Sequence, residues 1–553
     1  MRLSHYTRIV SLLLLLPMVA VAKSDITMPT VPSKEGTALK FEEGACYSKL
    51  VIDSRLNSFY ANKAKAGFGK FDDKGAMTET EFQASTKLDY VPGLVAKAVI
   101  EAVDYYKDNG SVDVKPWFYA VQNYAVKNDI AKNGKDGKSF DDLNAVKLYF
   151  KLRELAASKR FADATYTNAQ TVETADKRFA DALTGIKKAD ATYIIKEGLE
   201  AAQGGWWHKA SYVNQMWCDG QYMGPALLAQ MINGYKDYKG LTSNDWQVIA
   251  KQFEICWNIL WDADKELLYH AFSATPTDSY AITWADAKTG RSKEYWGRAV
   301  GWYFLALVDV LEEMQVAGKT QTAEYALLSG YLTKLAKGLD RWQDKNTGCW
   351  YQLLQYDNTF YADSYNGQKM TKTYNYLESS ATAIFLAGYM KGMRLGLLDK
   401  SYVAMVKNGY KGFVENFIVS DGKGGVHLIN SCRSAGLGGK NYRDGSAAYY
   451  LLGSDVSMVK LSEKQTEGKV LGAFILAATE YERMMNDNLQ GTISTGAKKP
   501  GDVNADGIVD MRDAADIAKY YIGIASQDFD SSLADFNEDG MVSVADANAI
   551  LNK

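Results

Sequence analysis

Between residues 40 and 486 apolar positions recur at helical spacing in one segment after another. The pattern predicts helices over Val91–Tyr106, Asp142–Ala157, Pro225–Tyr235, Trp246–Leu260, Gly297–Met314, Ala323–Gln343, Ser379–Leu397 and Gly468–Met485. In stretches such as GWYFLALVDVLEEM the apolar residues occupy nearly every helical face, so these helices are expected in the interior. Strand-like alternation is scarce, with Cys349–Leu354 and Gly425–Ile429 the candidates for short strands or loops. Only 8 prolines interrupt 553 residues, which leaves few positions that forbid a helix. Periodicity by itself gives a large all-α domain. A helical run of this size with no repeat of fixed period points to paired helices closed into a toroid.

The two ends depart from this pattern. Residues 1–22 read as a secretory signal: Arg2 and Arg8 are followed by an apolar run from Ile9 to Pro17 and an Ala20-Val21-Ala22 cleavage site. No stretch approaches the ~20 apolar residues a membrane span needs. The expected chain is therefore secreted, to the extracellular space, a cell-surface complex or the periplasm. Residues 487–500, DNLQGTISTGAKKP, are polar and lack periodicity, as a linker does. The expected plan is a signal over 1–22, one body over 23–486, the linker, and a tail over 501–553.

That tail carries one pattern twice. Asp502, Asn504, Asp506, Ile508, Asp510 and Asp513 recur as Asp535, Asn537, Asp539, Met541, Ser543 and Asp546, each set with a glycine at the sixth position. Oxygen donors at positions 1, 3 and 5, a backbone carbonyl at 7, and further oxygens at 9 and 12 are the layout of a calcium loop. An amphipathic helix is expected after each loop, with Ile517, Tyr521 and Ile524 on one face and Val544, Ala547 and Leu551 on the other helix's face. The two loops resemble a type I dockerin. The resemblance implies an EF-hand-like module that binds Ca2+ in both loops and docks onto a cohesin of a scaffold or cell-surface protein. Met511-Arg512 and Val544-Ala545 stand where many dockerins carry Ser-Thr.

Composition narrows the body. With 47% hydrophobic residues the chain is no disordered or collagen-like polymer. The tail holds 11 acidic and 3 basic residues, so the body is slightly basic, which suits an anionic substrate. No basic run marks a nucleic-acid surface. Cys46, Cys218, Cys256, Cys349 and Cys432 are odd in number and form no C-x-x-C, so buried free thiols are expected. Thirty-six tyrosines and 12 tryptophans exceed what a core requires, and flat rings lining clefts are common to sugar sites and to Tyr-rich interfaces.

The rings concentrate in WWHKASYVNQMWCDGQYMGP (206–225), where Trp206, Trp207, Tyr212, Trp217 and Tyr222 surround His208, Lys209 and Asp219. A carboxylate hemmed in by aromatics has its proton affinity raised by desolvation, as a general acid near neutral pH requires. The same composition also describes a core aromatic cluster with one solvated Asp. Trp296-Gly297-Arg298 with Trp302 sets a guanidinium between indoles at a helix start, apt for a carboxylate or simply for packing. His270 follows in LLYHA, while His427 has no comparable setting. Asp141-Asp142 opens a helix, where a carboxylate is commonly just a cap.

As an ordered series over roughly residues 45–485, LDYVPGL, FDDLNAVK, the WHK…QMWCDG segment, LLYHA, WGRAVGWYFLALVDVLE, ESSATAIF and LGAFILA resemble the unsaturated uronyl hydrolases of glycoside hydrolase families 88 and 105, most closely the unsaturated rhamnogalacturonyl hydrolases of family 105. The resemblance implies an all-α fold, an (α/α)6 barrel with its site at one end, acting in pectin breakdown on oligosaccharides that end in a 4,5-unsaturated uronic acid. It places the catalytic acid on Asp219 and the second carboxylate on Asp141, with Asp142 one residue away as the alternative. Tyr90, His208, Lys209, Met223, His270, Trp296, Arg298 and Trp302 fall on substrate-contacting positions. It implies no cofactor for catalysis, so Ca2+ belongs to the tail. Val213 and Ala299-Val300 depart from the family pattern, and 158–180 reads as an insertion. Two rivals stay open: another (α/α)6 glycan enzyme, such as an unsaturated glucuronyl hydrolase, an ordinary inverting glycosidase or a lyase, and a scaffolded glycan-binding protein without activity.

Overall fold

The computed structural model describes residues 26–60, 88–235, 240–242, 244–458 and 468–486, and in the tail 500–501, 503, 509, 511–524, 529–537 and 539–551. The signal at 1–22, most of the linker and the loop residues Asp502, Asn504, Asp506, Ile508 and Asp510 lie outside the described residues.

The helices alternate between two concentric layers. The inner ring consists of Tyr90–Tyr106, the segment from Asp141 to Ala157, Cys218–Met223 with Pro225–Gly234, Gly297–Val316, Ser379–Arg394 and Gly468–Asn486. Each packs on the next and the last packs on the first, so the ring closes. Around it stand Tyr47–Tyr60, Lys115–Lys127, Asn168–Thr192, Asp245–Leu260, Ala323–Arg341 and Val403–Phe417. This is an (α/α)6 barrel. Two layers follow from the sequence physics: an inner helix touches protein on all sides, and Gly297–Val316 is buried over nearly its whole length. An outer helix buries one stripe, as Ala175, Phe179, Ala182 and Ile186 show at spacings of three and four.

Seven of the eight helices expected from periodicity form with ends shifted by no more than three residues, and the eighth, Asp142–Ala157, is split into Asp141–Asn144, a 3-10 turn over Ala145–Lys147 and Leu148–Ala157. Segment 158–180, expected as an insertion, instead begins an outer barrel helix. Thr167 caps it, with the Thr167 hydroxyl and the Gln170 side chain satisfying each other's backbone amides. Val426–Leu428 is a strand, while Cys349–Leu354 is a loop held by isolated bridges to neighbouring segments. All five cysteines are buried free thiols. No described helix is long and apolar enough to cross a membrane.

Segments running from an outer to an inner helix emerge where the inner helices begin, and among the described residues 193–217, 261–296, 342–378 and 418–458 are long ones. The opposite end, among the closing turns of the inner helices, encloses a cavity of about 670 Å3. Several of its charges are paired: Lys391 with Asp309 and Glu312, Arg394 with Glu480, Lys151 with Asp104, while Lys147 bonds the Tyr222 carbonyl. The candidate catalytic groups lie at the other end.

The tail has its own apolar cluster of Val503, Ala514, Ile517, Ala534, Ala547 and Ile550. Its helices Met511–Tyr521 and Val544–Leu551 pack together. Of the expected apolar faces only Ile517 and Ala547 are buried; Tyr521, Ile524, Val544 and Leu551 are exposed. The buried stripes run Ala514–Ile517 and Ala547–Ile550, a three-residue step that turns the other apolar residues outward.

Candidate active site

The WHK…DG segment folds as a short strand, Gln215–Trp217, that runs directly into the helix starting at Cys218. The strand pairs antiparallel with Ala271–Ser273, Trp217 opposite Ala271, and the Cys218 amide donates to the His270 carbonyl (3.1 Å). Strand pairing therefore sets Asp219 beside His270, whose Nε2 lies 3.7 Å from Asp219 Oδ1. A second pairing brings in the other carboxylate. Ser139 bridges Lys209, the Phe140 amide donates to the His208 carbonyl (3.4 Å), and Asp141 then meets both side chains. Asp141 Oδ1 lies 3.0 Å from His208 Nε2, and Oδ2 pairs with the Lys209 ammonium. Asp141, rather than Asp142, holds this bridge.

Aromatic rings wall the group. Tyr212 stacks on Trp217 at 4.7 Å and 7°, His208 lies parallel to Trp217 at 5.6 Å, and His270 meets the Trp217 edge at 4.9 Å. Gly220 is required by closeness: a Cβ there would sit 2.9 Å from His208 Nδ1.

The two carboxylates are driven apart electrostatically. Burial pushes the Asp219 carboxyl up to about 6; His208 and Arg298 oppose this and Asp141 reinforces it. Asp219 keeps 17% of its side-chain surface open, while its Oδ1 is buried. Burial alone would raise Asp141 as well, but the Lys209 ammonium and His208 override it and hold the carboxyl well below the usual range. Lys209 is correspondingly raised: burial disfavours its charge, and Asp141 more than compensates. Burial, aided by the charges of His208 and Arg298, pushes His270 well below its ordinary value, so its imidazole is neutral. Three buried polar atoms in this group, Asp219 Oδ1, His208 Nδ1 and His270 Nε2, have no hydrogen-bond partner among the described residues. Buried polar atoms left this way mark a place for a polar ligand or water.

Arg298 is almost wholly buried and stacks its guanidinium 4.7 Å above Trp296. Nη1 donates to Ser380 Oγ (3.1 Å) and the Cys432 carbonyl (2.6 Å), and Nη2 donates to the Arg433 carbonyl (3.1 Å). It ties three segments together and projects positive charge toward Asp219. Trp302 and Met223 are buried in the core, and Trp302 stacks on Tyr222 at 4.5 Å while the half-buried Tyr90 meets its edge at 6.0 Å. Trp302, Tyr222 and Tyr90 form an aromatic layer of their own.

Several partners escaped the sequence reading. The Tyr450 hydroxyl bonds His270 Nδ1 (2.6 Å), and Gln352 accepts from Trp296 Nε1 (3.1 Å). Glu378 accepts from Ser380, Ala381 and Cys432. Glu378 and Ser380 lie in ESSATAIF and so were within reach; Tyr450 stands 180 residues from His270 with no local signal.

The second tail loop presents only oxygen donors, in Asp535, Asn537, Asp539, the Met541 carbonyl, Ser543 and Asp546, a set suited to a hard cation. Asp546 takes the amides of Phe536 and Asn537 on one oxygen and of Ser543 on the other. Asp513 takes the Val503 amide in the same way, so the two halves repeat. Among the described residues no three His, Cys, Asp or Glu side chains converge on one point as metal ligands.

Comparison with known proteins places this geometry. The sequence model of Glycosyl Hydrolase Family 88 matches residues 63–485, and that of the dockerin type I domain matches residues 500–553. Protein Atu3128 of Agrobacterium fabrum and the 24.9 kDa protein in picA locus of Rhizobium radiobacter are each 31% identical over 177 residues, which is 30% of this chain and 66% of each relative's length. Among solved structures, a family 105 glycoside hydrolase of C. acetobutylicum superposes with a TM-score of 0.56 at 26% identity, covering 79% of this chain and 99% of that one. A possible GH105 member from Salmonella enterica, at TM-score 0.52 and 17% identity over 81% of this chain and 97% of that one, shares the fold.

Proposed function

The chain belongs to glycosyl hydrolase family 88 and carries a type I dockerin domain, and from that premise we propose that it removes the terminal 4,5-unsaturated uronic acid from oligosaccharides, with Asp219 as the acid that hydrates the double bond. The carrying observation is the unequal state of two neighbouring carboxylates, Asp219 pushed up to about 6 and Asp141 held ionised by Lys209 and His208. A group that must give a proton to carbon near neutral pH has to retain one, and burial of Asp219 supplies that.

In this mechanism the Asp219 carboxyl protonates C4 of the enol ether, and positive charge develops at C5 and the ring oxygen. The carboxylate left behind takes a proton from water as the water oxygen bonds to C5. The resulting hemiketal opens: C5 becomes a ketone, the ring oxygen remains on C1 as a hydroxyl, and the C1 hemiacetal collapses to an aldehyde with release of the leaving sugar. One acid/base suffices where ordinary glycosidases need two opposed carboxylates. Asp141 fixes His208 and Lys209, and through them the polar side of the pocket. Neutral His270, aligned by Tyr450, faces the same oxygen of Asp219 and offers a hydrogen bond to substrate. The slightly basic body and Arg298 favour a uronate, and unsaturated galacturonyl-rhamnose from a pectin is the substrate we assign.

The tail binds Ca2+ through Asp502, Asn504, Asp506, Ile508, Asp510 and Asp513 and through their counterparts from Asp535 to Asp546; the ion's chemistry there is structural, neutralising the crowded acidic loop. The exposed Tyr521, Ile522, Ile524, Val544 and Leu551 supply an apolar face for a cohesin, which would hold the secreted enzyme in a complex.

The deciding experiment incubates the protein with lyase-generated unsaturated disaccharides and follows loss of the ultraviolet absorbance of the conjugated double bond. Turnover is expected, and Asp219→Asn should lower it by at least about 100-fold with substrate binding retained. Cleavage of saturated substrates alone, binding without turnover, or a near wild-type Asp219→Asn rate would each overturn the assignment.

A further inference from the structure

Segment 342–378 enters the active end of the barrel and carries a feature the catalytic reading leaves unused. Tyr361–Tyr365 and Gln368–Tyr374 form an antiparallel hairpin that stands out from the barrel, with Tyr361 opposite Tyr374. Most of its residues are exposed, including Tyr361, Met370 and Tyr374. Lys372 lies over the Tyr361 ring at 3.6 Å and 4.8 Å from that of Tyr374, so an ammonium is held at the surface between two rings. Against its foot lies an open cleft lined by Gln355, Tyr356, Asp357, Thr359, Phe360 and Tyr361, in which Tyr356 and Phe360 stack at 3.9 Å and 7°.

This cleft is wired to the catalytic pocket. Leu353 bridges Trp296, the indole Arg298 stacks on, and neighbouring Gln352 bonds both the Trp296 indole and the Tyr450 carbonyl. Asn375 locks the hairpin's foot to the same loop, donating to the carbonyls of Leu353 (3.0 Å) and Tyr356 (2.7 Å) and accepting from the Leu353 amide (3.2 Å). Gln355 donates to Glu294, whose carbonyl accepts the His270 amide. A chain of hydrogen bonds thus runs from His270, beside Asp219, through Glu294 and Gln355 to the cleft.

We propose that the cleft and hairpin are a second sugar subsite that takes the leaving chain of an acidic oligosaccharide: a ring lies against the Tyr356–Phe360–Tyr361 surface and a uronate carboxylate meets Lys372. Rings with polar edges, open to water, suit a carbohydrate face better than an apolar peptide. Lys369 and Lys372 set against Asp363 on the hairpin and Asp357 in the cleft leave the subsite balanced, so its anionic contact is the single ammonium of Lys372 held over the Tyr361 ring. The subsite rests on the uronyl hydrolase reading, since it needs a leaving chain that extends beyond the pocket. It makes the enzyme prefer long products of a lyase over disaccharides, and because Lys372 is exposed, that preference weakens as salt screens it.

The test compares kcat/KM for unsaturated hexasaccharide and disaccharide cut from the same acidic polymer, in the full chain and in Lys372→Ala, Tyr361→Ala and Lys372→Arg. The hexasaccharide-to-disaccharide ratio should fall about tenfold in the two alanine variants, chiefly through KM, and recover in Lys372→Arg. Raising the salt should lower the wild-type ratio but not that of Lys372→Ala. An unchanged ratio, or an equal loss on both sugars, overturns the subsite. If the wild type turns over neither sugar the hydrolase reading fails, and the subsite is then read by calorimetric titration with a saturated acidic hexasaccharide. Weaker binding in Lys372→Ala than in wild type supports it; equal binding, or capture of neutral glycans alone, overturns it.

Discussion

Asp219 and Asp141 face one another across a few side chains, yet burial raises the proton affinity of one while a lysine and a histidine lower that of the other. If Asp219 must be protonated to act, kcat should decline as pH rises through about 6, and a pH–rate profile of wild type against Asp219→Glu checks where that limb falls. Stability moves in the same direction. A carboxyl whose folded-state affinity is raised binds more protons folded than unfolded, so its contribution is intact below pH ~4 and is lost between ~4 and ~6. Asp219→Asn removes that penalty. It should stabilise the fold by about 1–3 kcal/mol at pH 8 and by nothing at pH 4, as measured by denaturant unfolding at both. Equal stabilisation at the two pH values would show that burial is not what holds the proton. At this scale the aromatic surroundings of Asp219 were legible in one segment of sequence. The Lys209–Asp141–His208 bridge was not, because it depends on residues 138–140 lying beside 208–210.

The helix Ser379–Arg394 begins on a buried junction. Glu378 accepts the Ala381 amide at its cap (2.6 Å), the Ser380 hydroxyl (2.9 Å) and the Cys432 amide (2.8 Å), while Ser380 and the Cys432 carbonyl hold Arg298. Truncating Glu378 to alanine leaves those donors unpaired, and chemical denaturation should show a loss of about 2–5 kcal/mol together with weaker substrate binding through Arg298. A loss below about 0.5 kcal/mol would mean that water replaces the carboxylate. The inner helices were legible because apolar residues on every face admit no other placement. The outer helices Tyr47–Tyr60, Lys115–Lys127, Asn168–Thr192 and Val403–Phe417 were not named, since their polar outward faces dilute the apolar signal that marks an interior helix. The hairpin was missed too, although Asn366-Gly367 (φ 51° and 73°) is the turn that such a hairpin demands. Its strands are mostly exposed, and the one side that packs, through Tyr365 against Tyr449, is too short to give the alternation that betrays a half-buried strand.

Body and tail carry two separate apolar clusters. The tail's is small, and its acidic loops repel one another unless neutralised, so its folding should depend on Ca2+ while the barrel's should not. Differential scanning calorimetry with and without chelator is expected to abolish or lower one small transition and leave the large one in place, with hydrolysis of unsaturated disaccharide unchanged. Activity lost on chelation, with the large transition intact, would put a metal requirement in the barrel.

By itself the sequence determined the class of fold, the order of the motifs along the chain and the repeated tail loop, because helical period and loop spacing are local properties written within a few turns of chain. It also marked Asp219, whose shielding rings lie within a dozen residues of it. Only the tertiary structure decided which of two adjacent aspartates meets His208 and Lys209, that Arg298 is anchored by segments more than eighty residues away, and that a hairpin rises from the same segment that bridges Trp296. Those are contacts between distant segments, and their geometry is set by how the ring of helices closes.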